Sequence, residues 1–160
     1  HGEGLNKYEN IRLGLNGRLD TIQAAILLEK LSIFPDEMLK RNKIAQYYMD
    51  NLSSDYKLPL IPENCLCSWA QFSLLAGSSE KRASMMKLLS EHNIPSFIYY
   101  SIPLHLQKIF MDLGYEKGDF PVAESIMQSY TCLPMHAAMS MDDASYVVEN
   151  LLTVLYDMNR

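Results

Sequence analysis

Helix-like and strand-like segments alternate along this chain, and this alternation constrains its fold more than any other feature. Apolar residues recur at helical spacing between Asp20 and Ile33, and similar patterns predict helices over 79–92 and from Ser140 to about Met158. The segments "LCSWAQFSLL", "IPSFIYYSI" and "TCLPM" are rich in bulky apolar residues and predict three short strands. We therefore predict an α/β or α+β fold in which a small sheet is covered by helices.

Short signals mark the ends of the predicted helices. Pro35 is expected to interrupt the first helical segment, so that "DEMLKRNKIAQYYMDNL" forms a second helix. "LHLQKIFMDLGY" and "PVAESIMQSY" predict two further short helices. The remaining signals are the caps and stops Ser78 or Ser79, Gly114, Pro121, and the capping box formed by Ser140 and Asp143.

Length and charge exclude several classes of function. The 160 residues fit one domain, and the formal net charge is -5 with a sequence pI near 5.3. No run of Lys and Arg exceeds two residues, which argues against binding to nucleic acid or to a membrane through a polybasic patch. The apolar runs are too short to span a bilayer.

The three cysteines indicate a reducing compartment, which we interpret as the cytoplasm. Their number is odd, and Cys65, Cys67 and Cys132 show no spacing typical of a disulfide framework. Cys65 and Cys67 have no further candidate zinc ligands nearby, so no metal site is predicted. We interpret the cysteines as buried structural thiols.

A polar turn, "GLNGR", leads into the first helix and has two interpretations. It could be a loop that closes onto the helix, with the glycines supplying positive φ angles. Alternatively, it could bind an anion, because Arg18 offers a planar fork of donors close to the backbone N–H groups of a helix start. The residues alone leave both interpretations open.

The segment "FIYYSIPLHLQ" contains a second group of candidate residues, Tyr99, Tyr100 and His105. Strand alternation would place the two tyrosines on opposite faces, so that at most one belongs to the core. His105 could satisfy the following helix or offer its imidazole to a polar substrate. Asp119 is expected to cap the next helix, and His136 is expected to be a surface or capping histidine.

Four blocks in order resemble the C-terminal part of the DegT/DnrJ/StrS-type sugar aminotransferases: "HGEGLNKYENIRLGLNGRLDTIQAAILLEKL", "IYYSIPLHLQKIF", "LGYEKGDFPVAE" and "LPMH". Within that family the sequences of these blocks are most similar to those of enzymes that aminate the 3-keto group of nucleotide-linked hexuluronic acids. The resemblance implies the small C-terminal domain of the aspartate-aminotransferase type of fold. Residues 54–160 would form that domain, and residues 1–53 would form a turn and long helical arm joining a large domain.

The resemblance also implies roles for individual residues. Asn16 would reach the phosphate of pyridoxal phosphate bound to the partner subunit of a homodimer, and Arg18 would contact the nucleotide sugar. Tyr100 matches the tyrosine of a histidine–tyrosine pair, whereas Tyr99 stands where many relatives have the histidine. Together with His105, these tyrosines are candidates for substrate contact.

The family's chemistry implies that this chain holds only part of an active site. Transamination needs a lysine that forms a Schiff base with pyridoxal phosphate, and in the family it precedes the "HG" block. The 160 residues alone are therefore expected to be inactive and to bind no cofactor. The intact enzyme would transfer an amino group, from glutamate, to a keto-sugar nucleotide for surface polysaccharide synthesis.

Two other interpretations stay open at this point. The chain could be a free-standing dimerisation or interaction module left from a split or decayed aminotransferase gene. It could also be an unrelated α/β ligand-binding domain.

Overall fold

A computed structural model of the chain describes residues 11–15, 17–52 and 56–158, with side chains described as far as residue 153. The chain divides into two compact units, one ending at Asp36 and the other beginning at Glu37. In the described ranges, we find no helix with the length and apolar character needed to cross a membrane.

The first helix, α1, runs without interruption over Thr21–Leu52, so the predicted break at Pro35 is wrong. Asp20 begins it, accepting the Ile22 N–H at 2.9 Å through its side chain and the Ala24 N–H at 2.8 Å through its carbonyl oxygen. Proline in a helix interior costs about 3 kcal/mol through a lost hydrogen bond and a steric clash. The helix persists because a single proline removes only one N–H donor from a 32-residue ladder.

The sheet has two antiparallel strands among the described residues, β1 over Phe72–Leu75 and β2 over Tyr130–Leu133. Phe72 pairs with Leu133, and Leu75 pairs with Tyr130. The predicted strand "IPSFIYYSI" is reduced to an isolated bridge between Phe97 and Cys132, so this prediction is wrong. Pro95 has no N–H to donate, which shortens the stretch of backbone that can hydrogen-bond to β2.

The remaining helices follow their sequence signals closely. Ser78 caps the helix α2, Ser79–Glu91, by accepting the Lys81 N–H at 3.2 Å, and Ser140 and Asp143 form the predicted capping box. The predicted stop at Gly114 is confirmed, since this residue has φ of 78° after two 3₁₀ helices. The bounds are α2 Ser79–Glu91, 3₁₀ helices Leu104–Leu106 and Lys108–Leu113, α3 Pro121–Ser129, and α4 Met141–Met158.

The hydrophobic core of the second unit lies on one face of this sheet. At its centre the ring of Phe72 packs edge-on against Tyr48, at 5.0 Å between centroids, and stacks with Trp69 at 5.3 Å. Most of the other core residues belong to α1, β1, α2, β2 and α4, and two lie outside them: Ile44, Ala45, Leu52, Leu74, Met85, Leu89, Leu133, Ala144, Val147, Val148 and Leu151, with Tyr56 and Ile94. The expected small sheet covered by helices is thus confirmed, as an α+β arrangement.

The opposite face of the sheet is less completely covered. Ser73 pairs with Cys132 there, with 3.2 Å between the hydroxyl oxygen and the sulfur. Cys132 is buried as predicted, and burial raises the pKa of its thiol. Cys65 is exposed and Cys67 half-buried, so a buried structural role is wrong for Cys65.

Candidate functional site

Arg18, one of the two candidate residues of the N-terminal turn, belongs to the first unit. Arg18 is exposed and precedes the helix cap Asp20 by two residues. Because the Asp20 carboxylate already accepts an N–H group of the first turn, the helix start offers less to an external anion than the sequence suggests. Asn16 lies outside the described residues.

Tyr99 and Tyr100 lie in the second unit, and both are exposed, by 54% and 64% of their surfaces. Neither belongs to the core, which agrees with the expectation that at most one would. The Tyr99 ring lies 5.8 Å from the ring of Phe97, while the Tyr100 backbone is bound by the Tyr130 hydroxyl group. These contacts leave both phenol groups available to a ligand.

His105 is held by a glutamate from α3. Its Nε2 lies 3.0 Å from Oε1 of Glu124, and the two side chains are only 8% and 12% exposed. The imidazole also lies 4.7 Å from the ring of Phe120, measured between centroids. No described hydrogen bond or ring contact joins His105 to either tyrosine.

The carboxylate of Glu124 is stabilised in its ionised form. The Gly118 N–H donates to Oε1 at 2.8 Å, and this bond is the main reason that the pKa of Glu124 lies below its usual value. Further bonds from His105 and from the Phe120 N–H, at 3.4 Å, act in the same direction. Desolvation, second in size after the Gly118 bond, opposes them without reversing the direction of the shift in pKa.

Two cavities lie against the segment that carries the candidate residues. One, of about 310 Å³, has charged residues in a partly apolar lining: Arg82, Lys117 and Glu124 line it together with Ser101. The other, of about 420 Å³, lies on the less covered face of the sheet and is mostly apolar, with Tyr100 and Lys57 among its lining residues. The first cavity offers cations to an anionic group, and the second offers tyrosine rings beside one lysine.

Sequence reasoning missed Glu124 and Arg82 and misplaced Asp119. Asp119 does not cap α3; its carboxylate accepts the Glu116 N–H at 2.8 Å, inside the preceding turn. Instead, the Glu124 side chain accepts N–H groups of the residues before α3. Its place inside the block "GDFPVAE" was the signal that could have identified it. His136 is exposed as expected.

The chemistry of a pyridoxal phosphate site can be tested against the lysines of this chain. A Schiff-base lysine needs an environment that favours its neutral amine, which burial supplies. Every lysine among the described residues is exposed. These residues therefore do not fit the covalent attachment of the cofactor. No cluster of three or more metal-ligating His, Cys, Asp or Glu side chains occurs in the described ranges.

Comparison with known protein families decides what kind of protein this is. The model of the DegT/DnrJ/EryC1/StrS aminotransferase family matches residues 1–152. The chain belongs to this family. The match includes the turn around Asn16 and Arg18 as well as the segment around Tyr100 and His105, and it excludes an unrelated ligand-binding domain.

Similar curated proteins and solved structures of the family come from several bacteria. The chain is 35% identical over 144 residues to dTDP-3-amino-3,6-dideoxy-alpha-D-galactopyranose transaminase of Aneurinibacillus thermoaerophilus, covering 89% of this chain and 38% of the relative. It is 36% identical over 137 residues to UDP-2-acetamido-2-deoxy-3-oxo-D-glucuronate aminotransferase of Pseudomonas aeruginosa, covering 85% and 36%. A family member from Brucella abortus is 41% identical with a TM-score of 0.83, covering 96% and 40%.

The chain thus spans about two fifths of the length of these relatives. Their shared fold confirms the fold class expected from the family resemblance. The division into an arm of residues 1–53 and a domain of residues 54–160 stays a prediction.

Proposed function

We propose that these 160 residues are the C-terminal part of a pyridoxal-phosphate-dependent aminotransferase acting on a keto-sugar nucleotide. The observation that carries this proposal is the family match over residues 1–152, together with relatives named for amino-sugar nucleotides. The amino donor would be glutamate, and the product would serve surface polysaccharide synthesis in the cytoplasm. The substrate class includes the 3-keto hexuluronates, since one relative is named for such a compound.

In this proposal the candidate residues serve an active site shared by two subunits. Asn16 binds the phosphate of the cofactor held by the partner subunit of a homodimer, and Arg18 binds the nucleotide sugar. Support for Arg18 comes from its exposed guanidinium, whose fork of donors matches a carboxylate or a phosphate. Tyr99, Tyr100 and His105 contact the substrate from the second unit.

The catalytic lysine and the residues around it are contributed by a large domain not contained in these 160 residues. Pyridoxal phosphate supplies the electron sink for amino-group transfer when it is bound there. The chain alone is inactive and retains no cofactor, because its described lysines are all exposed.

Reductive trapping tests this proposal. The chain is incubated with pyridoxal phosphate, reduced with borohydride and mapped by mass spectrometry, in parallel with the product of the whole reading frame. We expect low, scattered labelling of the 160 residues and one stoichiometric adduct on a lysine upstream of them. Lys117→Arg is a suitable control, since Lys117 lines the charged cavity and the labelling pattern should not depend on it. One stoichiometric adduct within residues 1–160 would overturn the proposal.

A second function, a free-standing dimerisation module, is favoured by the surface of α1. We refer to Ile22, Ile26, Leu27, Leu28 and Leu31 as the apolar segment of α1; these side chains are 55–73% exposed. At 100° per residue they lie on more than one side of the helix, and an exposed apolar surface of this kind is typical of an interaction site. In the intact enzyme the missing large domain would cover this segment, and in the isolated chain a second copy would.

A further inference from the structure

We propose that Glu124 is a positioning residue that fixes the tautomer of His105, so that Nε2 carries the proton and Nδ1 is presented as a hydrogen-bond acceptor. This inference rests on the proposed function for its consequence, namely that the substrate group facing His105 is a hydrogen-bond donor such as a sugar hydroxyl. The structural part of the inference stands on the contacts of the second unit alone.

One oxygen atom of the Glu124 carboxylate has three hydrogen-bond partners. Oε1 of Glu124 lies 3.0 Å from His105 Nε2, 2.8 Å from the Gly118 nitrogen and 3.4 Å from the Phe120 nitrogen. Gly118 has φ of 104°, in the region that favours glycine, and this turn delivers its N–H to the carboxylate. The turn before α3 and the 3₁₀ helix Leu104–Leu106 are thereby tied to one side chain.

The charge of Glu124 decides which atom of the pair is the donor. Since the amide of Gly118 and its neighbours lower the pKa of this carboxyl group, it is ionised at neutral pH. An ionised carboxylate can only accept hydrogen bonds. His105 Nε2 must then carry a proton, and the neutral imidazole has its acceptor lone pair on Nδ1.

Packing keeps the imidazole in this orientation. The ring of Phe120 lies 4.7 Å from that of His105 and is itself in edge contact with Tyr115 at 5.4 Å. The low exposure of both partners limits the competition of water for the bond. Histidines that bind metals are oriented in the same manner by a carboxylate on the second ring nitrogen.

A role of Glu124 as a helix cap alone would explain only part of this geometry. The bonds from Gly118 and Phe120 satisfy amides at the start of α3, as a capping side chain does. They do not require His105, whose bond comes from 19 residues away. A cap alone would leave the tautomer of His105 unaffected, so the tautomer distinguishes the two roles.

Nitrogen-15 NMR of the ring nitrogens in the 160-residue chain tests the proposal. Spectra are recorded at a pH about two units above the ordinary histidine pKa of roughly 6.5. We expect His105 to be almost entirely in the Nε2–H form, to a greater extent than the exposed His136. In Glu124→Ala this excess should be lost, while His92 and His136 remain unchanged.

The matched variant Glu124→Gln keeps a neutral acceptor and should retain part of the excess, which covers the case that Glu124→Ala fails to fold. A His105 in the Nδ1–H form, a mixture equal to that of His136 in the unmodified chain, or an unchanged tautomer in folded variants would overturn the proposal. The measurement needs neither cofactor nor substrate. Its failure is therefore distinct from a failure of the proposed function, which the trapping experiment detects.

Discussion

The hydroxyl group of Tyr130 hydrogen-bonds both backbone polar atoms of Tyr100: it accepts the N–H at 2.7 Å and donates to the carbonyl oxygen at 3.1 Å. Tyr130 opens strand β2 and is buried, whereas Tyr100 is exposed. One phenol therefore fixes an exposed candidate substrate residue to the sheet, in a segment that forms no strand of its own.

Tyr130→Phe should destabilise the chain by about 1–3 kcal/mol, because two neutral hydrogen bonds are lost while the ring stays in place. Urea unfolding followed by circular dichroism measures this change. Tyr146→Phe is the control: its hydroxyl donates one bond, to the His92 carbonyl oxygen at 3.2 Å, from an exposed position. An effect of Tyr130→Phe no larger than that of the control would contradict the anchoring role.

The helices were predictable because their signals are local. Ser78, Gly114, Ser140 and Asp143 act on atoms within a few residues of themselves, and the structure places them as the sequence predicts. The errors arise where the local preference of a residue competes with interactions made by other parts of the chain. Pro35 favours a break locally, yet α1 continues through it, because the helix hydrogen bonds on both sides outweigh the one donor that the proline lacks.

The candidate site was predictable only in part, for the same reason. Resemblance pointed to His105 and Tyr100, but their partners Glu124 and Tyr130 lie 19 and 30 residues away. No periodicity in the sequence predicts such long-range pairs. The local preference of "FIYYSI" for extended structure predicts a strand, but the segment forms only an isolated bridge. Both tyrosines are exposed because no strand packs them against the core.

The capping box of α4 predicts a defined acid sensitivity. Hydrogen bonds from the Ser140 hydroxyl and N–H lower the pKa of Asp143 in the folded chain. A lowered folded pKa contributes stability above the unfolded value, near 3.9, and this contribution is lost as the pH falls through the folded value.

Asp143→Asn should therefore lower stability at neutral pH and flatten its dependence on pH as the pH falls below about 5. Thermal unfolding across that range measures the effect. Asp142→Asn removes the same charge from the same helical turn without removing the capping contact. Equal profiles for the two variants would show that the turn's charge, and not the box, is responsible.

The apolar segment of α1 predicts self-association of the isolated chain. Leu27→Glu should raise the dissociation constant by about tenfold or more, since burying a leucine contributes roughly 1.5–3 kcal/mol. Sedimentation velocity over a dilution series measures it. Leu60→Glu makes the same change at another exposed leucine and should leave association intact. A strict monomer at every concentration would rule out the dimerisation module.

Arg18 is predicted to bind the sugar nucleotide in the product of the whole reading frame. Arg18→Ala should raise KM for that substrate by about tenfold to a hundredfold, because hydrogen bonds to charged groups contribute roughly 1.5–3 kcal/mol. Arg12→Ala removes another exposed arginine of the first unit and should leave KM unchanged. Equal effects of the two variants on KM would show that Arg18 contributes only to the overall positive charge and does not bind the sugar nucleotide directly.

Reading the coding DNA immediately upstream of the His1 codon tests the central claim most directly. The claim predicts an open frame that continues in phase and encodes a domain with a serine–x–x–lysine-like cofactor site. An in-phase stop codon or a frameshift directly before His1 would contradict it. These residues would then be a free-standing module whose Arg18, Tyr100 and His105 have lost the rest of their active site.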